Sequence, residues 1–359
     1  MTAQSESLPV RAKRRKKTTR PPAAQTPRAQ ESAPATVREP RIRAGWRVIA
    51  AKEFTDEITS LRFLLLTIVL TLAGAAAVYS ISGGLGNVAS DVSGQPSVFL
   101  VLFTGQVGQI PPFTTFVTFL GPLLGIAFGF DGINGERSEG TLPRLLAQPI
   151  YRDDVINGKF VGGLAAIALI LISVVGIVAA IGVIQLGILP SAEDVLRMMV
   201  WAILTIAYIG FWLALALLCS VLFRRAATSA LVALAVWLVL TVFLSLIIGI
   251  FAGVLRPVPS DAGQGSPEQT ANLSLQIQMR RVAPNQLYEE ATAVILDPRL
   301  RTVTPDLVTP AQRSGAIGGL LSLDQSVLVV WPQFVALIAA TAGMFALAYV
   351  SFMRQEVRA

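Results

Sequence analysis

The chain has 359 residues, 53% of them hydrophobic and only 14% charged, with a mean hydropathy of +0.63. An ordinary soluble domain carries roughly 25% charged residues, so there is too little polar surface to cover a globule of this size. Histidine is absent and Cys219 is the only cysteine, which excludes Ser–His and Cys–His catalysis, a His-ligated metal site and an intrachain disulfide. The net charge of +7 suggests nucleic acid or anionic lipid as a neighbour, and the placement of the charges favours lipid.

Residues 1–43 are rich in Pro, Ala, Gln, Thr, Ser and Arg and show no apolar periodicity, the composition of a disordered basic tail. The run Arg11-Ala-Lys13-Arg14-Arg15-Lys16-Lys17 reads as a cytoplasmic segment resting on anionic headgroups rather than as a nucleic-acid patch. No apolar stretch follows until about residue 63, so a signal peptide is not expected in this segment. Residues 44–62 form an amphipathic pattern with Trp46, Ile49, Phe54, Ile58 and Leu61 on one broad face. An interfacial helix fits this pattern, and so does an ordinary cytoplasmic helix.

A hydrocarbon layer about 30 Å thick needs about 20 apolar residues in a helix. The runs that qualify are about Phe63–Ser82, Pro112–Phe130, Phe160–Leu189, Met198–Phe223, Ala226–Gly253 and Trp331–Phe352. The expected fold is therefore all-α and polytopic, with about six spans within residues 63–359. The stretch Val98–Thr104 is too short to span and should pack beneath the second helix or lie in the interface. Arg and Lys at the N-terminus, in Gly132–Lys159, at Arg224-Arg225 and in the tail alternate to one side, which places both termini in the cytoplasm. Gly83–Pro111, a short turn Pro190–Arg197 and a long loop Val254–Val330 then face outward. That loop contains an expected amphipathic helix around Gln286–Leu296 and a short apolar piece, Gly315–Leu323.

The spans contain no Asp, Glu, Lys or Arg. Ionisable groups in a bilayer usually mark ion or proton paths, so their absence weighs against a proton-coupled transporter or a cation channel. It also disfavours an intramembrane enzyme, which would need a general acid and base. Glycines recur at four-residue spacing in Gly121/Gly125/Gly129, Gly158/Gly162 and Gly249/Gly253. Such faces allow close helix approach, within one subunit or at a dimer seam.

The segment between the second and third spans is the most informative. The second span leaves the bilayer at Asp131, and the chain turns through a Gly- and Asn-rich stretch holding Glu136, Arg137 and Glu139. A short amphipathic helix can run from about Thr141 to Ala147, stopped by Pro149, before the chain re-enters at Lys159. Leu142, Leu145 and Leu146 form an apolar knob rimmed by Glu136, Arg137, Glu139, Arg144 and Arg152. The knob can plug into a groove on a cytoplasmic partner or pack back against the bilayer; spacing alone decides neither.

Asp131, Glu136-Arg137, Gly140-Thr141-Leu142, Leu145-Leu146, Pro149, Arg152 and Gly158-Lys159, in this order at the end of a transmembrane helix, resemble the ABC-2 type membrane permeases. Pro284-Asn285-Gln286-Leu287-Tyr288 with Asp297-Pro298 is similar to that family's outer loop. Trp331-Pro332-Gln333 and Phe352-Met353-Arg354-Gln355-Glu356-Val357-Arg358 are similar to its last helix and tail. The resemblance implies a permease subunit of an ATP-driven exporter in the cytoplasmic membrane, paired with a second copy or a homologous permease. It implies that the first cytoplasmic loop seats as a coupling helix on a separate ATP-binding subunit, with Asp131, Glu136, Arg137, Glu139, Thr141, Leu142, Arg144, Leu145, Leu146 and Arg152 at that junction. No Gly-x-x-x-x-Gly-Lys-[Ser/Thr] pattern occurs, and Gly158-Lys159 is followed by Phe160. ATP and Mg²⁺ are therefore expected on the partner, and this chain is read as neither an enzyme nor a cofactor or metal binder. A membrane complex that passes force or signal without moving cargo is the alternative reading.

Overall fold

A chain crossing lipid must satisfy its backbone polar groups internally, and long apolar runs without ionisable residues do so as helices. The computed structural model describes residues 45–85, 98–106, 109–141, 151–187, 189–259, 263, 265–303 and 320–355, and the expected tail over 1–43 lies outside them. Among the described residues the regular structure is helical: α1 (Gly45–Ile58), α2 (Leu61–Leu85), α3 (Val98–Thr104), α4 (Phe113–Gly129), α5 (Asn134–Ser138), α6 (Arg152–Leu186), α7 (Ala192–Leu222), α8 (Ala226–Leu238), α9 (Leu244–Leu255), α10 (Pro267–Arg280), α11 (Pro284–Leu296) and α12 (Leu323–Arg354). A π-helical turn, Val239–Phe243, joins α8 to α9. Six helical stretches are long and apolar enough to cross a membrane: Leu61–Ile81, Phe113–Ser138, Arg152–Gln185, Ala192–Leu222, Ala226–Leu255 and Leu323–Arg354.

All six expected spans are present, several with earlier starts than hydropathy suggests. The third begins at Arg152, the fourth at Ala192 and the sixth at Leu323. Helical hydrogen bonding continues through polar residues beyond the apolar run, which hydropathy reads as loop. Pro190–Arg197 is consequently a helix start rather than a turn. Ser191 caps α7, its hydroxyl accepting from the Asp194 N–H at 3.1 Å while the Asp194 carboxylate accepts from the Ser191 N–H at 2.9 Å. The long loop before the sixth span is shortened in the same way, because α12 takes over at Leu323.

α7 is the central helix. Trp201, Leu204, Tyr208, Ile209, Trp212, Leu213, Ala216 and Leu217 are all buried along it, as is Cys219. α4 lies directly on it through the glycine series. A Cβ at Gly125 would sit 2.7 Å from the Ile209 carbonyl oxygen, and one at Gly129 would sit 2.8 Å from that of Leu213. These glycines serve packing within the subunit. Gly249 and Gly253 differ, since a Cβ added at either would meet nothing within 4 Å. They belong to the α8–α9 span, whose Leu231, Leu246, Ile247, Ile250 and Val254 point outward, as expected for a lipid-facing helix.

The short α3 packs into the bundle with Phe99, Leu100, Leu102 and Phe103 buried. Phe103 meets Phe113 edge-on at 5.9 Å and lies 6.1 Å from Trp201. Gly125→Ala should lower the thermal unfolding midpoint in detergent, with a loss of roughly 1–3 kcal/mol from overpacking against backbone atoms that cannot yield. Gly249→Ala, facing open space, should leave the midpoint within about 0.5 kcal/mol of wild type or slightly above it.

Candidate functional site

The polar side chains gather at the end of the bundle that carries α1, here the proximal end. Two glycines create the junction. A Cβ at Gly158 would lie 2.6 Å from the Ile49 Cβ and 2.9 Å from the Trp46 carbonyl oxygen. One at Gly162, a turn later, would lie 2.8 Å from the Ala50 carbonyl oxygen. Only residues without side chains let α1 lie this close on α6. Ile49 and Ala50 are buried there, and Phe54 and Ile58 pack on the core as the apolar pattern of 44–62 implies.

This approach carries Glu53 onto Lys159. The Lys159 side chain is 4% exposed, and its ammonium bridges Glu53 of α1 and Glu136 of α5, the latter at 2.8 Å. A buried ion pair rarely adds much net stability, but removing one partner strands the others without solvent. Beside it, Arg62 at the start of α2 pairs with Asp131, donates to the Ala127 carbonyl at 3.3 Å and lies 4.9 Å over the Phe130 ring.

The elbow between the second and third spans is pinned from three further directions. The Ser220 hydroxyl of α7 accepts from the Ile133 N–H at 2.9 Å and the Asn134 N–H at 3.1 Å. Arg137 donates to the Gln355 side-chain carbonyl at the end of α12, and the Gln355 amide donates to the Val221 carbonyl at 2.6 Å. Arg152 donates to the Gln355 backbone carbonyl at 2.9 Å and lies 5.6 Å over the Phe352 ring. α5 ends in a paired cap, Thr141 N–H to Glu136 carbonyl at 3.0 Å and Gly140 N–H to Arg137 carbonyl at 3.3 Å. Gly140 at φ 66° closes it, in the left-handed conformation that this cap favours.

Of the residues expected at a partner junction, Asp131, Glu136, Arg137 and Arg152 thus turn inward to brace the elbow. Glu139 and Thr141 are exposed, where a partner could reach them. Leu142, Arg144, Leu145 and Leu146 lie outside the described residues. Glu53, Arg62, Ser220 and Gln355 complete the cluster, and their partners are distant in sequence: 106 residues separate Glu53 from Lys159 and 69 separate Arg62 from Asp131. A lone charge beside a span end was the available signal, and it does not name its partner.

The distal end is closed by α11, which lies between the fifth and sixth spans and is buried along most of its length. Tyr288 stacks on Tyr208 of α7 with centroids 4.4 Å apart and rings 7° from parallel. The Tyr288 hydroxyl lies 2.9 Å from the Thr205 hydroxyl, and Tyr208 donates to the Thr118 carbonyl at 2.8 Å. Glu290 is held by Arg281 at 3.0 Å and by the Gln333 amide of α12 at 3.0 Å. Arg197, fully buried, donates to the Ile295 carbonyl at 2.8 Å, the Ser326 hydroxyl at 3.1 Å and the Leu321 carbonyl, and pairs with Glu193. α10 leans on α9, with the Asn272 amide donating to the Ala252 carbonyl at 2.9 Å.

Six membrane-length apolar helices, a charged elbow braced at one end and a short helix plugged into the other define a multi-pass permease-type membrane protein. The chain belongs to the ABC-2 family transporter proteins, whose family model matches residues 47–357. It is 30% identical over 213 residues to the probable ABC transporter permease protein NosY of Stutzerimonas stutzeri, covering 56% of this chain and 68% of that protein. It is 31% identical over 114 residues to the protein of the same description from Pseudomonas aeruginosa, covering 32% of this chain and 37% of that relative. The chain is thus a membrane permease subunit of an ABC transporter, located in the cell membrane.

Lys159→Met should destabilise the protein by about 3–5 kcal/mol, because Glu53 and Glu136 are left without a cation. Adding Glu53→Gln and Glu136→Gln should recover much of the loss in the same thermal assay. Glu57 gives a pH signature. Burial, with Asp131 and Glu53 nearby, outweighs Arg62 and Lys159 and pushes its carboxyl from 4.5 up to about 7. The folded protein then holds a proton that the unfolded chain has released, so this contribution to stability is full below pH 4.5 and falls as pH rises to about 7. The midpoint of wild type relative to Glu57→Gln should therefore drop across that window, and a flat difference would remove Glu57 as its source.

Proposed function

We propose that the protein is the membrane subunit of an ATP-driven exporter, with the proximal end cytoplasmic and the segment after α5 seated on a separate ATP-binding subunit. The observation that carries this reading is the elbow itself. α5 is tied to α1 and α6 through Lys159, to α7 through Ser220 and to α12 through Gln355. A displacement of the following loop therefore acts on several helices together. α7, pulled at Ser220, holds Tyr288 of the distal plug through Tyr208 and Thr205. Motion of the central helix can thus loosen α11 and open the distal end. The relatives' identity as probable ABC transporter permease proteins supports the same assignment.

In this reading Glu139, Thr141, Leu142, Arg144, Leu145 and Leu146 form the outward surface of the junction. Asp131, Glu136, Arg137 and Arg152 hold that surface to the bundle. ATP and Mg²⁺ reside on the partner, and a second permease copy completes the unit, as the family implies. The apolar, outward-pointing side chains of α8, α9 and α12 are compatible with lipid or with that second copy.

The test is co-purification with candidate ATP-binding subunits. Wild type should capture an ATPase, and Glu139→Arg with Leu145→Asp should reduce capture about tenfold or more while membrane insertion and thermal midpoint persist. Equal capture by the double variant would place the junction elsewhere. In the reconstituted complex, a transported compound should stimulate ATP hydrolysis; a complex that hydrolyses ATP yet responds to no cargo would favour force or signal transmission.

A further inference from the structure

A cavity of about 200 Å³ opens at the distal end between the end of α3, the first turns of α4 and α11. Its lining is unusual for a bundle of apolar helices: Thr104, Thr114, Thr115, Thr118, Thr292, Ala293 and Glu289. The hydrogen bonds of these hydroxyls indicate what the cavity can offer. Thr104 donates its proton to the Leu100 carbonyl at 3.2 Å, and Thr118 donates to the Thr114 carbonyl at 2.9 Å. With those protons committed inside their own helices, both oxygens have only lone pairs left to offer. Thr292 is 5% exposed, and its hydroxyl makes no hydrogen bond within the described residues. The Tyr288 hydroxyl beside it is engaged with Thr205 at 2.9 Å and has Thr292 only as a second, weaker neighbour. A buried polar group of this kind costs free energy unless something pairs with it.

Among the described residues, Glu289 is the only charged one in the lining. It keeps an exposed surface, yet protein surrounds it, and that enclosure pushes its carboxyl above the usual range; Arg280 of α10 draws it down and the neighbouring Glu290 adds to the rise. It forms no hydrogen bond or ion pair with a described residue, whereas Glu290 next to it is paired with Arg281. The cavity therefore offers oxygen acceptors and one carboxylate that has no direct ion-pair partner among the described residues.

We propose that this cavity binds a primary ammonium group, carried by a small amine in solution or by an amine-bearing lipid headgroup. Three N–H donors and one positive charge match several hydroxyl acceptors and one carboxylate. A hard divalent cation needs six or more oxygen ligands with several carboxylates among them, which a single Glu289 does not supply. A quaternary ammonium is held by aromatic faces, and among the described residues the lining contains no aromatic side chain. An ammonium ion pairs with the ionised carboxylate, so binding should weaken as acid protonates Glu289. This site stands apart from the proximal elbow and does not depend on ATP coupling.

The experiment titrates the purified full chain in detergent with 3-fluoropropylammonium and with the neutral 3-fluoropropanol, each followed by fluorine NMR. Wild type should bind the amine about tenfold or more tightly than the alcohol, since a charged hydrogen bond supplies that difference. Glu289→Gln should abolish the preference and its pH dependence with the thermal midpoint unchanged. If that variant does not fold, Thr118→Val with Thr292→Val must weaken the amine selectively. Native mass spectrometry with phosphatidylethanolamine and phosphatidylcholine identifies the source. Retention of the ethanolamine lipid alone, competed by the free amine, points to a headgroup, and equal retention of both lipids with tight free-amine binding points to a soluble amine. Equal affinity for amine and alcohol, no binding of the amine, or unchanged amine binding by the folded variants would overturn the proposal.

Discussion

The proximal end depends on one buried cation. Lys159 has almost no access to solvent, and carboxylates from two different helices meet it there, without which a buried cation would be stranded. That requirement fixes several distances together. α1 must lie close enough on α6 to deliver Glu53, which explains the absence of side chains at Gly158 and Gly162. α5 must fold back to deliver Glu136, which explains the elbow after the second span and the glycine cap at Gly140. Arg62, Ser220 and Gln355 then attach the same elbow to α2, α7 and α12.

The distal end is built on a different principle. There the apolar stack of Tyr208 and Tyr288 and the buried phenol-hydroxyl contacts hold a helix that enters and leaves on one side. Burial pushes the Tyr288 phenol upward, so it remains an uncharged hydrogen-bonding group. The two ends share α7, which contributes Ser220 to one and Thr205, Tyr208 and Arg197 to the other. A central helix buried along most of Leu204–Val221 is suited to relay a displacement, since close-packed interiors transmit strain rather than absorb it.

The spans were legible in the sequence because about 20 apolar residues without charge leave few alternatives in a helical chain. The short Val98–Thr104 helix and the helix near Gln286–Leu296 were legible from local apolar patterning. Helix starts were not, because Arg152–Lys159 and Ala192–Arg197 look like loops to any hydropathy scale. Spacing exposed the glycine pairs but not their partners: Gly158/Gly162 face α1, Gly121/Gly125/Gly129 face α7, and Gly249/Gly253 face open space. The charges of the elbow were visible, yet their inward pairing was hidden by sequence separations of 69 and 106 residues. The threonine-lined cavity gathers residues from three segments that no linear pattern connects.

Arg197 bears on the order in which the molecule can be made. Its guanidinium is fully enclosed, and apart from Glu193 its acceptors come 98, 124 and 129 residues later in the chain. During synthesis the fourth span therefore reaches the bilayer with a positive charge at its distal turn and no enclosing partners. That charge is held at the lipid–water boundary until Ile295, Leu321 and Ser326 have emerged. The bundle can then close around it only after the sixth helix has begun to form, which makes the C-terminal third of the chain a condition for completing the middle third.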